Sequence, residues 1–423
     1  MMSSATLRLV LLVSCCHALV HVYEHSLASV EQLVVGDPSF GVADDRQEEV
    51  SGELGNWLRL PFGLCAFLGG WLADRFGAKR LLLVYLFGCS AAAMLAWWSP
   101  DLLLMTVAMF LLGMFASIYH PAGVGLITHH TNPENRPMAL GYHGIFGSAG
   151  IAAGPFLAGV ILNTGATWRQ YYLVLAIPGA VLAVLLMHRL SHAEKRSGAS
   201  RATAAGGDTE SADTEDDAYW LSYFTLMALT CLAGFVYAAI LHFLPRYLGG
   251  AGLQMGRIPA ESLRNYLAAG VMLLGILGQY TAGRIARPTT LELLMACSFF
   301  AAAPCVLWMG FAEGPSRLWA AALFSPLFFM HQPLFNSLVA KYVPRRRRSL
   351  CYGLSFTLGF GVGSLGPNFA GHIESYAIRY SALAIVLGAA GTLALVLWRW
   401  HGPVVEKGGP GSEMAGESDE ALL

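Results

Sequence analysis

Charge is what this chain has least of. Of its 423 residues only 13% are Asp, Glu, Lys or Arg, about half the share usual in soluble domains. The 26 basic and 27 acidic residues leave a net charge of −1, so nothing in bulk attracts nucleic acid. The eight cysteines, at 15, 16, 65, 89, 231, 297, 305 and 351, all fall within apolar runs. None has the spacing of a zinc site or of a secreted disulfide framework, and they read as buried, reduced thiols. No bound cofactor is implied.

What fills the chain instead is hydrophobic residue, 55% of the total, in long runs. A membrane-crossing helix needs about 20 mostly apolar residues. Such segments lie near 8–35, 52–73, 80–98, 102–129, 137–162 and 168–189, then near 218–248, 261–283, 289–311, 316–343, 349–373 and 376–399. The box "LVSC" before Cys15 resembles a lipoprotein cleavage site, but its apolar run is too short for a signal core, and we assign it to the first span. The expected fold is all-α and integral to the membrane, with twelve transmembrane helices in two pseudo-symmetric bundles. Residues 1–189 make the first bundle and 218–400 the second. The small, polar, charged stretch 190–217 reads as a disordered linker and 401–423 as a disordered tail. With both termini in the cytoplasm, most of the 26 Lys and Arg fall on the cytoplasmic side, as the positive-inside rule requires. Arg246, Arg257 and Arg264 go against it, which gives that outer region a role of its own. A cell (inner or plasma) membrane location follows.

The halves repeat. Shifted by 212 residues, 120–161 falls on 332–373 without a gap: Pro121 on Pro333, Arg136 on Arg348, Gly141 on Gly353, Gly147 on Gly359, Gly154-Pro155 on Gly366-Pro367. Glycines so spaced let helices approach closely. Six helices repeated twice suggest a transporter with its site where the halves meet. Between the second and third spans, "GGWLADRFGAKR" carries Gly70, Asp74, Arg75, Gly77, Lys79 and Arg80. That loop resembles the signature loop of the major facilitator superfamily, which implies a charge clasp that gates the inner side. The repeat copy, "GRIARPTTL", puts Arg287 where Asp74 would stand, so the clasp is asymmetric. On the fifth span, Gly141, Gly150, Gly154, Pro155 and Gly159 resemble the superfamily's antiporter motif, with Ala158 in place of one glycine. "HALVHVYEH" and "SIYHPAG" are similar, over a short length, to the fosmidomycin-resistance-like exporters. The resemblance implies alternating access and a small organic substrate, exported in exchange for protons or, alternatively, taken up by symport. A monomer is expected.

The first span carries five ionisable side chains within 17–32. On a helix at about 100° per residue, His17, His21, Glu24, His25, Glu31 and Gln32 share an arc of roughly 120°. An ionised group at the bilayer centre costs about 2.5–3.5 kcal/mol on insertion scales, so this face must meet water or partners. Arg59, which cannot lose its proton, is the natural counter-charge for Glu24. Histidine can relay protons near neutrality. Glu24 and His21 are therefore the leading proton-coupling residues, and Glu31, near the outer end, is expected to be hydrated. His120, His143, His331, Gln332 and Asn336 join the candidate cavity, with His242, Gln279 and Asn368 as further polar groups. Other classes are weaker. His17 and His21 stand one turn apart, but no thiolate or second close histidine pair accompanies them in sequence, so no metal is expected. "HVYEH" resembles an inverted zinc motif but lacks a third ligand, and no enzyme is expected. A non-transporting sensor would bind without flux.

Overall fold

Helices account for every expected span. In the computed structural model, which describes residues 2–132, 135–197, 219–344 and 347–401, α1 covers Ser4–Glu24, α2 Ser26–Val35, α3 Gln47–Phe76, α4 Ala78–Trp98, α5 Leu102–Ala116, α6 Tyr119–His129, α7 Arg136–Leu162 and α8 Trp168–Ser197. The second half holds α9 Trp220–Gly249, α10 Ala260–Ile285, α11 Leu291–Phe311, α12 Ser316–Phe329, α13 His331–Tyr342, α14 Arg348–Gly363, α15 Leu365–Gly371 and α16 Tyr376–His401. Four crossings are interrupted pairs: α1/α2, α5/α6, α12/α13 and α14/α15. There is no strand among the described residues. α8 runs to Ser197, so the first residues assigned to the linker are helical; the rest of it, and the tail beyond His401, lie outside the described residues.

Local chemistry sets the ends. The Ser3 side chain accepts the Thr6 amide and Asp101 accepts the Leu104 amide at 2.8 Å, each capping a helix start that would otherwise leave amides unpaired. Gly77, at φ +90°, makes the turn between α3 and α4, a conformation that other residues resist. Ten helical stretches are long and apolar enough to cross a membrane. α3 falls short of that measure because it carries Asn56, Arg59 and several glycines, and α14/α15 because its many glycines, with Ser355, Ser364 and Asn368, lower its hydropathy. Outside the spans, burial would raise the Asp37 carboxyl. The Ser39 hydroxyl and amide, the Trp168 indole and Arg169 outweigh it and hold the group below its ordinary value.

Buried apolar residues form two cores. One runs from Val10 to Leu186; the other runs from Tyr223 to Leu397 and takes in Ile151 and Ala152 of α7. Two seams join the halves: α3 against α14 and α15, and α7 against α10. The 212-residue shift carries one seam onto the other. A Cβ on Gly159 would stand 2.6 Å from Tyr266 of α10, and one on Gly371 would stand 2.4 Å from the Glu48 carbonyl of α3. Each half repeats a second contact. Gly150 and Gly154 bring α7 onto α1, where a Cβ on Gly150 would stand 2.4 Å from the Ala18 carbonyl. Gly359 and Gly366 bring α14 and α15 onto Thr230 and Phe235 of α9 in the same way. Helices packed this closely gain dispersion contacts and lose little side-chain entropy.

Among the described residues, the ion pairs between the halves gather at one end. There Glu31 takes a bidentate pair from Arg246, 2.8 and 2.6 Å long. Arg246 also lies 3.7 Å from Glu48, which Arg379 contacts in turn. Arg264 reaches Gln32, and Asn265 donates to the Ser29 carbonyl at 2.9 Å. Glu31 is thus buried and paired, not hydrated as expected, because its partner comes from the other half. At the opposite end, Gly141, Gly283 and Gly353 have open space where a Cβ would stand.

A substitution pair tests the packing. Gly150→Val forces α7 off α1 and should destabilise by about 1–3 kcal/mol, lowering the thermal midpoint of the purified protein. Gly141→Ala should leave the midpoint within error. Equal midpoints for the two variants would contradict the close approach.

Candidate functional site

α1 runs unbroken to Glu24, and the chain interrupts at His25 before α2 begins. This places four ionisable groups of one segment deep between α3, α6, α7 and α9. Glu24 and Arg59 are each 2% exposed. Arg59 Nη1 donates to Glu24 Oε1 at 2.7 Å, and His21 Nδ1 donates to Glu24 Oε2 at 2.7 Å. His25 Nε2 lies 4.0 Å from the same carboxylate. Tyr237 of α9 closes the group from the other half. Its hydroxyl is 3.2 Å from His25 Nε2 and 3.5 Å from Glu24 Oε1, and Arg59 stands 5.6 Å from its ring centre. That hydroxyl has one proton and two possible acceptors, so it can report the charge of Glu24 to the second half.

A histidine cluster adjoins the pair. His17 stacks on His143 with ring centres 3.8 Å apart, and its Nδ1 donates to the His143 carbonyl at 2.7 Å. His120 of α6 is 5.3 Å from His17 and 5.5 Å from His21, ring centre to ring centre. A Cβ on Gly147 would collide with the His17 ring at 2.3 Å, so this glycine makes room for the stack. Sequence spacing shows only the His17–His21 pair; the fold supplies His120 and His143 from two other helices.

Beside the histidines is an aromatic cluster shared by both halves. His120 is 4.4 Å from Phe356 of α14, and Phe62 stands 5.4 Å from Phe360. His120, Phe356 and Phe360 are all partly exposed. A separate polar chain crosses the other seam: Ser148 donates to Gln279 at 3.0 Å, and Gln279 donates to Gln332 at 2.9 Å. A third link is His242 of α9, set against Gly55 and 3.0 Å from the Ser51 hydroxyl.

The remaining candidates lie apart. His331 donates to or accepts from nothing in the cluster; its Nδ1 donates to the Phe328 carbonyl at 2.6 Å within the second core. Asn336 is exposed, and its carbonyl accepts from Tyr352. In the signature loop, a Cβ on Gly70 would stand 3.5 Å from Pro121 of α6, and Asp74, Arg75 and Arg80 are exposed. Asp74 makes no ion pair among the described residues, while Arg75 rests 5.8 Å from the Trp71 ring centre. Of the antiporter-like residues, Gly150 and Gly154 seat α1, Gly159 seats α10 and Gly141 touches nothing. Sequence reading missed Tyr237, although the repeat points to it: the 212-residue shift places it on His25. It also missed Phe356 and Phe360, which nothing in their local sequence distinguishes from core aromatics.

Two six-helix halves with a buried polar site between them define a multi-pass membrane transporter, not an enzyme. The family model of the Major Facilitator Superfamily matches residues 57–367, and the chain belongs to that superfamily. The 3-(3-hydroxy-phenyl)propionate transporter of Escherichia coli is 26% identical over 78% of this chain and 76% of its own length. The puromycin resistance protein pur8 of Streptomyces alboniger is 38% identical over 33% of this chain, and the probable actinorhodin transporter of Streptomyces coelicolor 34% over 30%. The chain spans only 27% and 23% of those two relatives. Among solved structures, a bacterial homolog of the human lysosomal transporter Spinster, inward-facing and unoccupied, aligns with a TM-score of 0.73 over 95% of this chain and 98% of its own, at 13% identity. The inward-open xylose transporter XylE of E. coli gives 0.70 over 93% and 96%, also at 13%. These structures establish the fold alone.

Breaking the central pair leaves a buried charge without its partner, which typically costs about 3–5 kcal/mol. Arg59→Leu should therefore lower the thermal midpoint sharply, and adding Glu24→Gln should recover part of the loss. A double variant no more stable than Arg59→Leu would show that the two charges do not compensate one another.

Proposed function

We propose that this protein exports a small organic molecule in exchange for protons, by alternating access across the cell membrane. The observation that carries this reading is Glu24, a buried carboxylate held by Arg59 and His21 and touched by Tyr237 of the opposite half. A charge at that depth is tolerable only while paired. Protonating Glu24 releases Arg59 and His21 from it and turns the contact with Tyr237 from charged to neutral. The halves are then free to rock, and a substrate that competes for the same groups couples its movement to the proton's. Export accords with the relatives named for puromycin resistance and actinorhodin transport. The partly exposed rings of Phe356, Phe360 and His120 suit a compound with a flat aromatic portion, which such rings hold by offset or edge contacts.

Orientation follows from the Lys/Arg bias, which places both termini and the loop at 70–80 in the cytoplasm. The sealed end with Glu31 and Arg246 is then outermost, and the conformation is inward-open. Exposure of Asp74 fits a clasp released in this state and re-formed when the inner side closes. Uptake by symport would use the same carboxylate. The transporter of E. coli that aligns along most of this chain keeps that second reading in view.

Proteoliposomes decide between them. A panel of aromatic antibiotics and aromatic acids should include a compound that evokes proton flux opposite to its own movement, abolished in Glu24→Gln. Flux in the same direction would mean symport, and equal proton flux in wild type and Glu24→Gln would remove Glu24 from coupling. The outer seal gives a separate test. Arg246→Ala unpairs Glu31 and leaves Glu48 to Arg379 alone, and should raise the labelling rate of a cysteine placed at Ser29 by an impermeant reagent. An unchanged rate would mean that the ion pairs do not hold this end shut.

A further inference from the structure

We infer that His17, His21 and His120 form a binding site for a first-row transition metal ion of the Zn²⁺ or Co²⁺ class, on the inner face of the first bundle. One ring nitrogen from each of the three lies within 4.8 Å of the others. Three nitrogens around a tetrahedral metal, at the usual 2.0–2.1 Å, stand about 3.3 Å apart. Binding therefore draws the three rings, carried on α1 and α6, together by up to about 1.5 Å from the 4.8 Å limit.

The hydrogen bonds settle which nitrogens are available. His17 Nδ1 faces the His143 carbonyl, which can only accept, so this nitrogen carries the proton. His21 Nδ1 faces the Glu24 carboxylate and donates likewise. Each ring is then fixed with its Nε2 lone pair free. Metal-binding histidines almost always donate their other N–H to a carboxylate or a backbone carbonyl, which orients the ring and raises its basicity. Here both kinds of support are in place before any metal arrives. The third residue supplies the complementary sign of an unmet group: His120 Nε2 is buried and has no hydrogen-bond partner, an uncommon state for a buried polar atom. Neutral imidazoles favour borderline metals over Mg²⁺ or Ca²⁺, which take oxygen ligands. Three ligands leave a fourth position open, and the partial exposure of His120 gives a route to it from the open end.

This site lies beside the proton-coupling carboxylate but does not depend on coupling. The test uses the full-length protein in detergent, with any histidine tag removed, titrated with Co²⁺ and followed by the visible d–d bands of four-coordinate cobalt. One saturable equivalent per chain, displaced by Zn²⁺, is expected. His17→Ala and His120→Ala should weaken it at least about tenfold, and Glu24→Gln should weaken it in the range of about 10–100-fold that loss of a supporting carboxylate brings. His331→Ala should leave it unchanged. Thermal midpoints confirm that each variant is folded, and His120→Gln, which keeps size and polarity, replaces His120→Ala if the latter is not. No saturable cobalt band in wild type, or wild-type affinity in both His17→Ala and the His120 variant, overturns the proposal. Metal binding absent with Glu24-dependent proton flux intact removes this site and leaves the transport reading; the reverse result removes only proton coupling.

Discussion

A single buried ion pair organises this molecule. Glu24 and Arg59 face each other at 2.7 Å where neither meets solvent. In that setting the attraction between them is strong, but so is the cost of removing both from water. The pair survives because its remaining oxygen is filled by His21 and because Tyr237 and His25 approach it. Anything that changes the charge of the carboxylate changes what every neighbour must do. The fold places these neighbours on both sides of the boundary between the two bundles.

The repeat explains why the site is lopsided. Sliding the first half onto the second carries His17, His21, Glu24 and Arg59 onto Leu229, Ala233, Val236 and Val271, all buried apolar residues. The second bundle shares the helix-packing glycines and has no charges at these positions. What it has instead is Tyr237, on the position equivalent to His25, and Gln332, on the position equivalent to His120. The first half therefore carries the central ion pair, and the second contacts it through Tyr237. The two seams, α3 with α14 and α15 and α7 with α10, are related by the same shift, so a rocking motion can open either end on equivalent surfaces.

Much of this was legible in the sequence. Long apolar runs give the twelve crossings, because hydrocarbon accepts only helices whose backbone bonds are internal. The polar face of the first span and the lone Arg59 point to their pairing, because neither charge is tolerable alone. Glu31 was misjudged for the complementary reason: a residue near a helix end is read against water, whereas here Arg246, far along the chain, covers it. The interruption at His25 was not visible either, since Ser26 and Ser29 turn their hydroxyls to the carbonyls of Tyr23 and His25 within an apolar run. Nor could spacing along one helix reveal that His120 and His143 converge on His17. That convergence is a property of packed helices, set by glycines whose significance appears only when their neighbours are known.

The central claim is that the charge of Glu24 governs which end of the protein is open. It is tested most directly by double electron–electron resonance between spin labels on Gly141→Cys and Gly353→Cys, repeat-equivalent sites with open space at the end opposite the Glu31–Arg246 pair. The account predicts a wild-type distance distribution whose short and long populations exchange as pH is varied. With Glu24→Gln, one population should persist at every pH. The same pH-dependent exchange in both proteins would contradict it.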